Sequence, residues 1–181
     1  MSNQINGTLP QSFGLLSKLE SLYIDSNMLE GAVSKVHFSN LTRLTLLYAS
    51  KNRLPWKVSL DWIPPFQLNS LVLGSWNLGP KFPSWLCSQE QFLSLAISNT
   101  GILDAFPPWS WNFSSQFTYL NISHNQIYGE IPHIPLIFSP SSIIDMNSNH
   151  FECPLPFISS NLSFLDLSNN SLPGSIFHFL C

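Results

Sequence analysis

Aliphatic residues recur along this chain at fixed positions, in a pattern that reads L-x-x-L-x-L-x-x-N-x-L. One copy of the pattern consists of Leu19, Leu22, Ile24, Asn27 and Leu29, with isoleucine in the third leucine position. A unit of this length cannot bury its apolar face alone and has to stack on its neighbours. The pattern therefore predicts a solenoid of about eight stacked repeats. The asparagine position recurs at intervals of 21 to 25 residues, at positions 3, 27, 52, 76, 100, 125, 149 and 170.

The consensus and its period are the signature of leucine-rich repeats. They predict an α/β-type solenoid, a curved right-handed coil with a parallel β-sheet on its concave face and a mostly irregular or 3-10 helical convex side. The repeats run through the whole chain, so we expect a single domain over residues 1–181. Solenoids need polar caps over their terminal repeats, and neither end of this sequence carries one. We therefore expect an uncapped piece of a longer protein.

The asparagine position predicts a ladder of hydrogen bonds inside the coil. An asparagine side chain carries both donors and an acceptor, so it can pair with backbone groups where each strand turns inward. Trp76 and Thr100 fill this position in repeats four and five, and we expect local distortion there. The predicted ladder consists of Asn3, Asn27, Asn52, Asn125, Asn149 and Asn170.

Several repeats continue after the asparagine with a second consensus, L-x-G-x-I-P. It is found at residues 5–10 and 127–132 and, without its last proline, at 29–33 and 172–176. Glycine permits a tight turn in this tail, and proline ends the short extended segment. The tail resembles that of the plant-specific class of leucine-rich repeats. Residues 61–68 and 83–86 further resemble segments of plant receptor-like proteins that perceive microbial elicitors.

This resemblance to the ectodomains of plant receptor-like proteins and receptor kinases implies a function. Such ectodomains are non-catalytic recognition modules at the extracellular face of the plasma membrane, and they bind peptide, protein or glycan ligands and co-receptor kinases in defence or developmental signalling. By the same resemblance, attachment to the membrane would come only through segments absent from this chain. Two alternatives stay open. One is a secreted inhibitor of microbial cell-wall-degrading enzymes, similar to plant polygalacturonase inhibitors, and the other is a nonfunctional receptor gene fragment.

The strand residues that flank the core leucines give the candidate binding surface. Because side chains alternate along a strand, the residues on either side of a buried leucine point away from the core. Three of them are apolar and fall on successive repeats, which predicts an exposed apolar strip beside a polar row. Aromatic anchors beside polar groups suit a protein or peptide contact. The ligand-binding candidates are Tyr119, Ile143, Phe164, Asn121, Asp145, Asp166, Tyr23 and Tyr48.

Composition narrows the classes of partner. Only 9% of the residues are charged, the net charge is −3, and Lys and Arg form no cluster. We therefore expect neither nucleic acid nor an anionic membrane surface as a partner. Glycans on Asn-x-Ser/Thr triplets would keep so weakly charged a surface soluble, although a chain rich in Asn and Ser also produces such triplets by chance. The candidate N-glycosylation sites are Asn6, Asn40, Asn112, Asn121, Asn161 and Asn169.

No residue pattern in the chain predicts catalysis, a metal site or a cofactor. Asp145 and Asp166 are expected about 5 Å apart, as in retaining glycosidases, but an open strand ladder provides no desolvation to separate their pKa values. The three cysteines have no metal-ligand spacing and are expected to pack as small apolar residues: Cys87, Cys153 and Cys181. The tryptophans outside the ladder are expected to cover the convex side of the core: Trp56, Trp62, Trp85, Trp109 and Trp111.

Overall fold

The computed structural model describes residues 3–52, 54–108, 118–131, 141–154 and 162–174. In these ranges, short parallel strands alternate with irregular segments and with 3-10 helices at Gln11–Leu15, Lys35–Phe38 and Ser84–Ser88. This architecture confirms the predicted leucine-rich-repeat solenoid. The strands are β1 (Asn6–Thr8), β2 (Ser21–Tyr23), β3 (Met28–Glu30), β4 (Val33–Ser34), β5 (Leu46–Tyr48), β6 (Trp56–Lys57), β7 (Ser70–Val72), β8 (Ser94–Ala96), β9 (Tyr119–Asn121), β10 (Tyr128–Gly129), β11 (Ser142–Asp145), β12 (His150–Phe151) and β13 (Leu162–Asp166).

One strand from each of seven successive repeats enters the main parallel sheet. Its order is β2, β5, β7, β8, β9, β11 and β13, so each repeat pairs with the repeats before and after it. The core positions of the sequence pattern lie opposite one another in every pair of strands. This row of aligned core residues is Leu22, Leu47, Leu71, Leu95, Leu120, Ile144 and Leu165.

The apolar core lies between the main sheet and the convex segments. Leu47, Leu71 and Leu95 are at most 1% exposed, and complete burial of such a side chain stabilises the fold by about 1.5–3 kcal/mol. The core residues are less completely buried towards both edges of the sheet: Leu22 is 8% exposed and Leu165 is only half-buried. The middle repeats therefore bury the core leucines most completely.

The L-x-G-x-I-P tails form short parallel strand pairs beside the main sheet. β1 pairs with β3, β4 with β6, and β10 with β12. Gly7, Gly31 and Gly129 have φ angles of 85°, 78° and 94°, in the left-handed region that favours glycine. The consensus glycine thus allows the tight turn that the sequence predicts.

The ladder asparagines connect each repeat to the preceding one. Nδ2 of Asn125 donates to three carbonyl oxygens, among them that of Ile97 in the preceding repeat at 2.9 Å. Its Oδ1 accepts from the backbone N–H of Ile102, also in the preceding repeat, at 3.2 Å. Asn27 likewise accepts from the preceding repeat, whereas Asn3 is exposed. The same two-way pairing between repeats is made by Asn52, Asn149 and Asn170.

Trp76 and Thr100 pair with backbone groups of the preceding repeat without an asparagine side chain. Nε1 of Trp76 donates to the carbonyl oxygen of Ala49 in the preceding repeat at 2.7 Å, as an asparagine Nδ2 does elsewhere. The backbone carbonyl of Thr100 accepts from the N–H of Leu78 at 3.0 Å, in place of an asparagine Oδ1. Strands β7 and β8 pair with their neighbours without a register shift. The distortion expected at repeats four and five is therefore absent from the sheet.

Aromatic rings fill the convex half of the coil around repeats two to four. The ring of Trp56 lies 5.9, 5.8 and 5.5 Å, centroid to centroid, from those of Trp62, Trp76 and Trp85. Phe38 contacts both Trp56 and Trp62. The three described tryptophans predicted to cover the convex side, Trp56, Trp62 and Trp85, therefore pack in or against the core, and the ladder residue Trp76 joins them. Two further tryptophans predicted to pack there lie outside the described residues: Trp109 and Trp111.

Candidate recognition surface

The outward face of the main sheet carries two rows of side chains, one on each side of the core row. Strand register places every residue beside its neighbours in the row, at the usual strand spacing of about 4.8 Å. The ligand-binding candidates fall into two groups, one towards each edge of the sheet. The first row is Ser21, Leu46, Ser70, Ser94, Tyr119, Ile143 and Phe164, and the second is Tyr23, Tyr48, Val72, Ala96, Asn121, Asp145 and Asp166.

Tyr119, Ile143 and Phe164 form the apolar strip, on the adjacent strands β9, β11 and β13. Phe164 is 48% exposed, Ile143 is 36% exposed and Tyr119 is half-buried. Three side chains on neighbouring strands give a continuous apolar surface about 10 Å long. A surface of this kind suits the burial of an apolar anchor from a partner.

The polar row, Asn121, Asp145 and Asp166, runs beside the apolar strip. Nδ2 of Asn121 donates to Oδ2 of Asp145 at 3.1 Å. Nδ2 of Asn147 donates to Oδ1 of Asp145 at 2.6 Å and to Oδ2 of Asp166 at 3.3 Å, so one amide group bridges the two carboxylates. Oδ1 of Asp166 also accepts from the backbone N–H and the hydroxyl of Ser168. Asn147 and Ser168, which the sequence does not single out, therefore hold the carboxylates in place.

This bracing follows one repeated spacing, in which each side chain of the polar row accepts from the residue two positions later. The spacing is visible in the sequence and is the signal from which the bracing could have been predicted. The backbone N–H of the residue two positions later donates to Oδ1 of Asn121, Asp145 and Asp166 alike. Hydrogen bonds to an ionised carboxylate lower its pKa, and the pKa of Asp166 is lowered chiefly by the hydroxyl of Ser168. A general acid needs the opposite shift. The hydrogen bonds at Asp166 therefore favour its ionised form and do not suit it to act as a general acid.

Tyr23 and Tyr48 form the tyrosine pair near the other edge of the sheet. Their rings stack with centroids 4.7 Å apart and planes 22° from parallel. The hydroxyl of Tyr48 accepts from Oγ of Ser70 at 2.8 Å, which fixes the inner ring. Tyr23 is 61% exposed. Because β2 is the edge strand of the described sheet, the outer ring presents a broad aromatic surface.

Small side chains separate the apolar strip from the tyrosine pair. The two strands between them, β7 and β8, carry Ser70, Val72, Ser94 and Ala96 on the outward face. Ser70 is 5% and Ala96 7% exposed, so little side chain projects there. Three strand spacings, about 15 Å, separate β5 from β9. A partner that contacts both groups therefore has to lie across the outward face of β7 and β8.

The candidate glycosylation sites differ in the availability of their side-chain nitrogen. Asn6 and Asn40 are exposed. Nδ2 of Asn121 is bonded to Asp145, and it lies within the candidate surface. Asn169 is exposed, and its Nδ2 donates to Oγ of Ser148 at 3.3 Å. Two further sites lie outside the described residues: Asn112 and Asn161.

The cysteines and other potential ligands show no metal-binding arrangement in the described residues. No group of three or more His, Cys, Asp or Glu side chains is placed there to hold an ion. Cys153 is buried in the core, and its Sγ accepts from the backbone N–H of Ile131 at 3.0 Å. Cys87 is exposed on a 3-10 helix, contrary to the expectation that it packs in the core. Cys181 lies outside the described residues.

No helix among the described residues is both long and apolar enough to cross a membrane.

Comparison with known proteins identifies the repeat family and two similar proteins. The Leucine Rich Repeat family matches residues 116–136 and 161–181. The receptor-like proteins EIX2 and EIX1 of Solanum lycopersicum are 39% and 40% identical to the chain over 147 and 134 residues. These matches cover 81% and 74% of this chain but only 14% and 13% of the two relatives. The chain therefore spans about one seventh of the length of these receptor-like proteins.

Solved structures show the same fold at lower sequence identity. The ectodomain of the Arabidopsis thaliana receptor kinase HAESA, in complex with an extended IDA peptide hormone, aligns with 94% of this chain at a TM-score of 0.75 and 23% identity, over 29% of its own length. The ectodomain of GASSHO1/SCHENGEN3, in complex with CASPARIAN STRIP INTEGRITY FACTOR 2, gives a TM-score of 0.70 and 23% identity, over 94% of this chain and 21% of its own. The chain is thus a leucine-rich-repeat protein.

Within that class, the chain resembles plant receptor-like proteins over most of its length. The relatives named above are receptor-like proteins, and the solved structures are leucine-rich-repeat ectodomains of receptor kinases.

Proposed function

We propose that this chain is a non-catalytic recognition module of a plant cell-surface receptor, on the extracellular side of the plasma membrane. The outward face of its main sheet binds a peptide, protein or glycan ligand and contributes to contact with a co-receptor kinase. The single observation that carries this proposal is the apolar strip beside a braced row of polar side chains. The similarity to receptor-like proteins over 81% of the chain supports it.

The site favours a ligand that presents an apolar side chain next to a basic or hydrogen-bond-donating group. The apolar strip offers Phe164 and Ile143 as exposed surface for the apolar side chain. Asp145 and Asp166, one strand apart and held by Asn147, present negative charge beside it. Because the carboxylates are held before binding, little conformational entropy is lost when a partner pairs with them.

The tyrosine pair is a second contact area of the same proposed face. The exposed ring of Tyr23 can stack on a sugar or proline ring, while the hydroxyl of Tyr48 is held by Ser70. The small side chains of β7 and β8 between the two areas leave room for an extended ligand that reaches both. We further propose that the chain is a stack of about eight repeats within a longer ectodomain, because it spans only about one seventh of the length of its receptor-like relatives.

Peptide selection against the whole 181-residue chain tests this surface. A phage-displayed peptide library is selected on the chain, and the recovered peptides are synthesised and titrated against the double variant Tyr119→Ala/Phe164→Ala. We expect peptides that combine apolar and basic residues, and we expect the double variant to weaken their binding at least tenfold, since truncation of anchor residues costs about 2 kcal/mol or more.

The matched control removes exposed apolar side chains that lie outside the sheet. Met28 and Leu103 are 54% and 51% exposed, and neither lies in a strand of the main sheet. The variant Met28→Ala/Leu103→Ala is expected to bind the selected peptides as the unmodified chain does. If both double variants bind them equally well, the apolar strip is not the recognition surface.

A further inference from the structure

The side of the coil that carries the L-x-G-x-I-P tails has an outward face of its own in repeats five to seven. Strand β10 pairs in parallel with β12, so that Tyr128 lies opposite His150, and Ala105 of repeat five lies opposite Tyr128 on its other side. Side chains alternate along these segments, since Phe151 and Ile131 are buried whereas Tyr128 is 43% exposed. This face shares no strand with the main sheet.

Two exposed glutamates lie side by side on this face, next to the exposed tyrosine. Strands β10 and β12 pair immediately before them. Immediately after them, the backbone N–H of Ile131 donates to Sγ of Cys153 at 3.0 Å. Glu130 and Glu152 lie between these two contacts, so they are about one strand spacing, 5 Å, apart. Both are exposed, and together with Tyr128 they form the acidic tail face.

Neither glutamate of the acidic tail face has a basic partner among the described residues. The ion pairs in that part of the chain are Arg43 with Glu20 and Lys81 with Asp104. The sequence gives the reason, because all seven lysines and arginines lie within residues 18–81. Two like charges at this distance repel each other. A cation from outside the chain would remove that repulsion, so the charge of this face is complementary to a basic partner.

We propose that the acidic tail face binds a segment of another protein that presents an arginine. The guanidinium lies between Glu130 and Glu152, and its flat face packs on the ring of Tyr128. Arginine fits this surface better than lysine, because its planar guanidinium has donors for two carboxylates and stacks on aromatic rings. A metal ion fits less well, since no group of three or more potential ligands is placed to hold one in the described part of the chain.

This inference stands apart from the proposed receptor function. The acidic tail face shares no residue with the apolar strip, the polar row or the tyrosine pair, and it lies on a different sheet. Either surface can therefore fail its test while the other passes.

Three peptides that differ at one position test the proposal. Each is a short acetylated peptide amide with two leucines around a central residue, which is arginine, lysine or citrulline. Citrulline keeps the shape of arginine without its charge. Each peptide is titrated into the whole nitrogen-15-labelled chain, and the backbone amide resonances are followed by NMR. We expect the arginine peptide to shift the amides of Tyr128, Glu130 and Glu152 and to bind at least about threefold more tightly than the other two.

Matched variants separate the two glutamates from the net charge of the chain. Glu130→Gln/Glu152→Gln should weaken the arginine peptide about three- to tenfold, the range expected for exposed ion pairs. Glu30→Gln/Glu90→Gln makes the same change in net charge at exposed positions outside this face and should leave binding unchanged. Tyr128→Ala should also weaken binding, whereas Tyr128→Phe keeps the ring and should bind as the unmodified chain does.

The fold of the glutamate variant is checked in the same series. Its urea midpoint should equal or exceed that of the unmodified chain, because the variant removes repulsion between like charges. A lower midpoint would mean that the two glutamates support the fold, and it would overturn the proposal. Equal binding of the arginine and citrulline peptides, or equal effects of the two double variants, would overturn it as well. Shifts confined to Asp145 and Asp166 would place the arginine on the polar row instead, which would also overturn it.

Discussion

At the scale of single residues, the backbone around each ladder position follows one rule that the leucine pattern does not reveal. The residue immediately before each ladder position, from repeat two onward, has a positive φ angle, for example 62° at Lys51 and 55° at His124. Glycine would be the usual choice for such a conformation. Only Asn99, His124 and Asn169 are of residue types that are enriched in this conformation. The ladder itself could be predicted because asparagine recurs, whereas this conformation has no single residue type to mark it.

Replacement of Asn125 by alanine is expected to be among the most damaging single changes in the chain. Asn125→Ala leaves buried carbonyl and N–H groups of two repeats unpaired, and each such group costs about 1–3 kcal/mol. We expect the free energy of unfolding, measured by urea denaturation, to fall by about 3 kcal/mol or more. Asn77→Ala is the control, because Asn77 is exposed outside the ladder and should change stability little. Similar losses in both variants would contradict the role of the ladder.

The left-handed conformation at Lys51 makes a second residue-scale prediction. A β-branched side chain is poorly accommodated at positive φ, so Lys51→Val should destabilise the fold by about 1–2 kcal/mol. Lys57 is also an exposed lysine but lies in strand β6, where valine is favoured. Lys57→Val should therefore change the free energy of unfolding by less than about 0.5 kcal/mol. Equal urea midpoints for the two variants would argue that the Lys51 backbone relaxes without cost.

At the scale of elements, the strands could be predicted closely and their supporting contacts could not. The core leucines fix which residues face inward, and alternation then fixes both outward rows, including the order Tyr119, Ile143 and Phe164. The bridge from Asn147 to both carboxylates depends on side-chain positions in adjacent repeats. The leucine pattern also could not predict that Trp76 replaces the asparagine hydrogen bond at repeat four. The bond from its indole to the carbonyl oxygen of Ala49 depends on how the surrounding side chains pack.

Restoring the consensus at repeat four is expected to destabilise the protein. Trp76→Asn would put asparagine in the ladder position, but it would empty a site that is 3% exposed and remove the ring 5.8 Å from Trp56. Loss of a large buried aromatic side chain costs about 3–5 kcal/mol, more than one hydrogen bond contributes. We expect a lower urea midpoint for Trp76→Asn and little change for Ile63→Asn, since Ile63 is 76% exposed. A midpoint at or above that of the unmodified chain would show that the ladder outweighs the aromatic packing.

At the scale of the whole molecule, stability should follow the order of the repeats. In a solenoid each repeat contacts only its neighbours, so its protection depends on what is stacked on either side. The core residue is essentially fully buried in the middle strands, as at Leu71, and half-buried at Leu165 in the edge strand β13. The tyrosine pair and the apolar strip lie towards opposite edges of the sheet, where the core residues are less buried. A ligand that contacts both would therefore stabilise the least protected repeats.

Amide hydrogen exchange of the whole chain measures this gradient directly. Exchange reports local opening, whose free energy is lowest where few buried contacts hold a segment. We expect the slowest exchange at Leu71 and Leu95 in β7 and β8, and exchange faster by at least tenfold at Leu22 and Leu165 in the edge strands β2 and β13. Because the edge strands should open without the centre, protection should rise stepwise from either edge of the sheet. Uniform protection across all seven strands would mean that the repeats unfold as one cooperative unit, and stacking on nearest neighbours would then not set local stability.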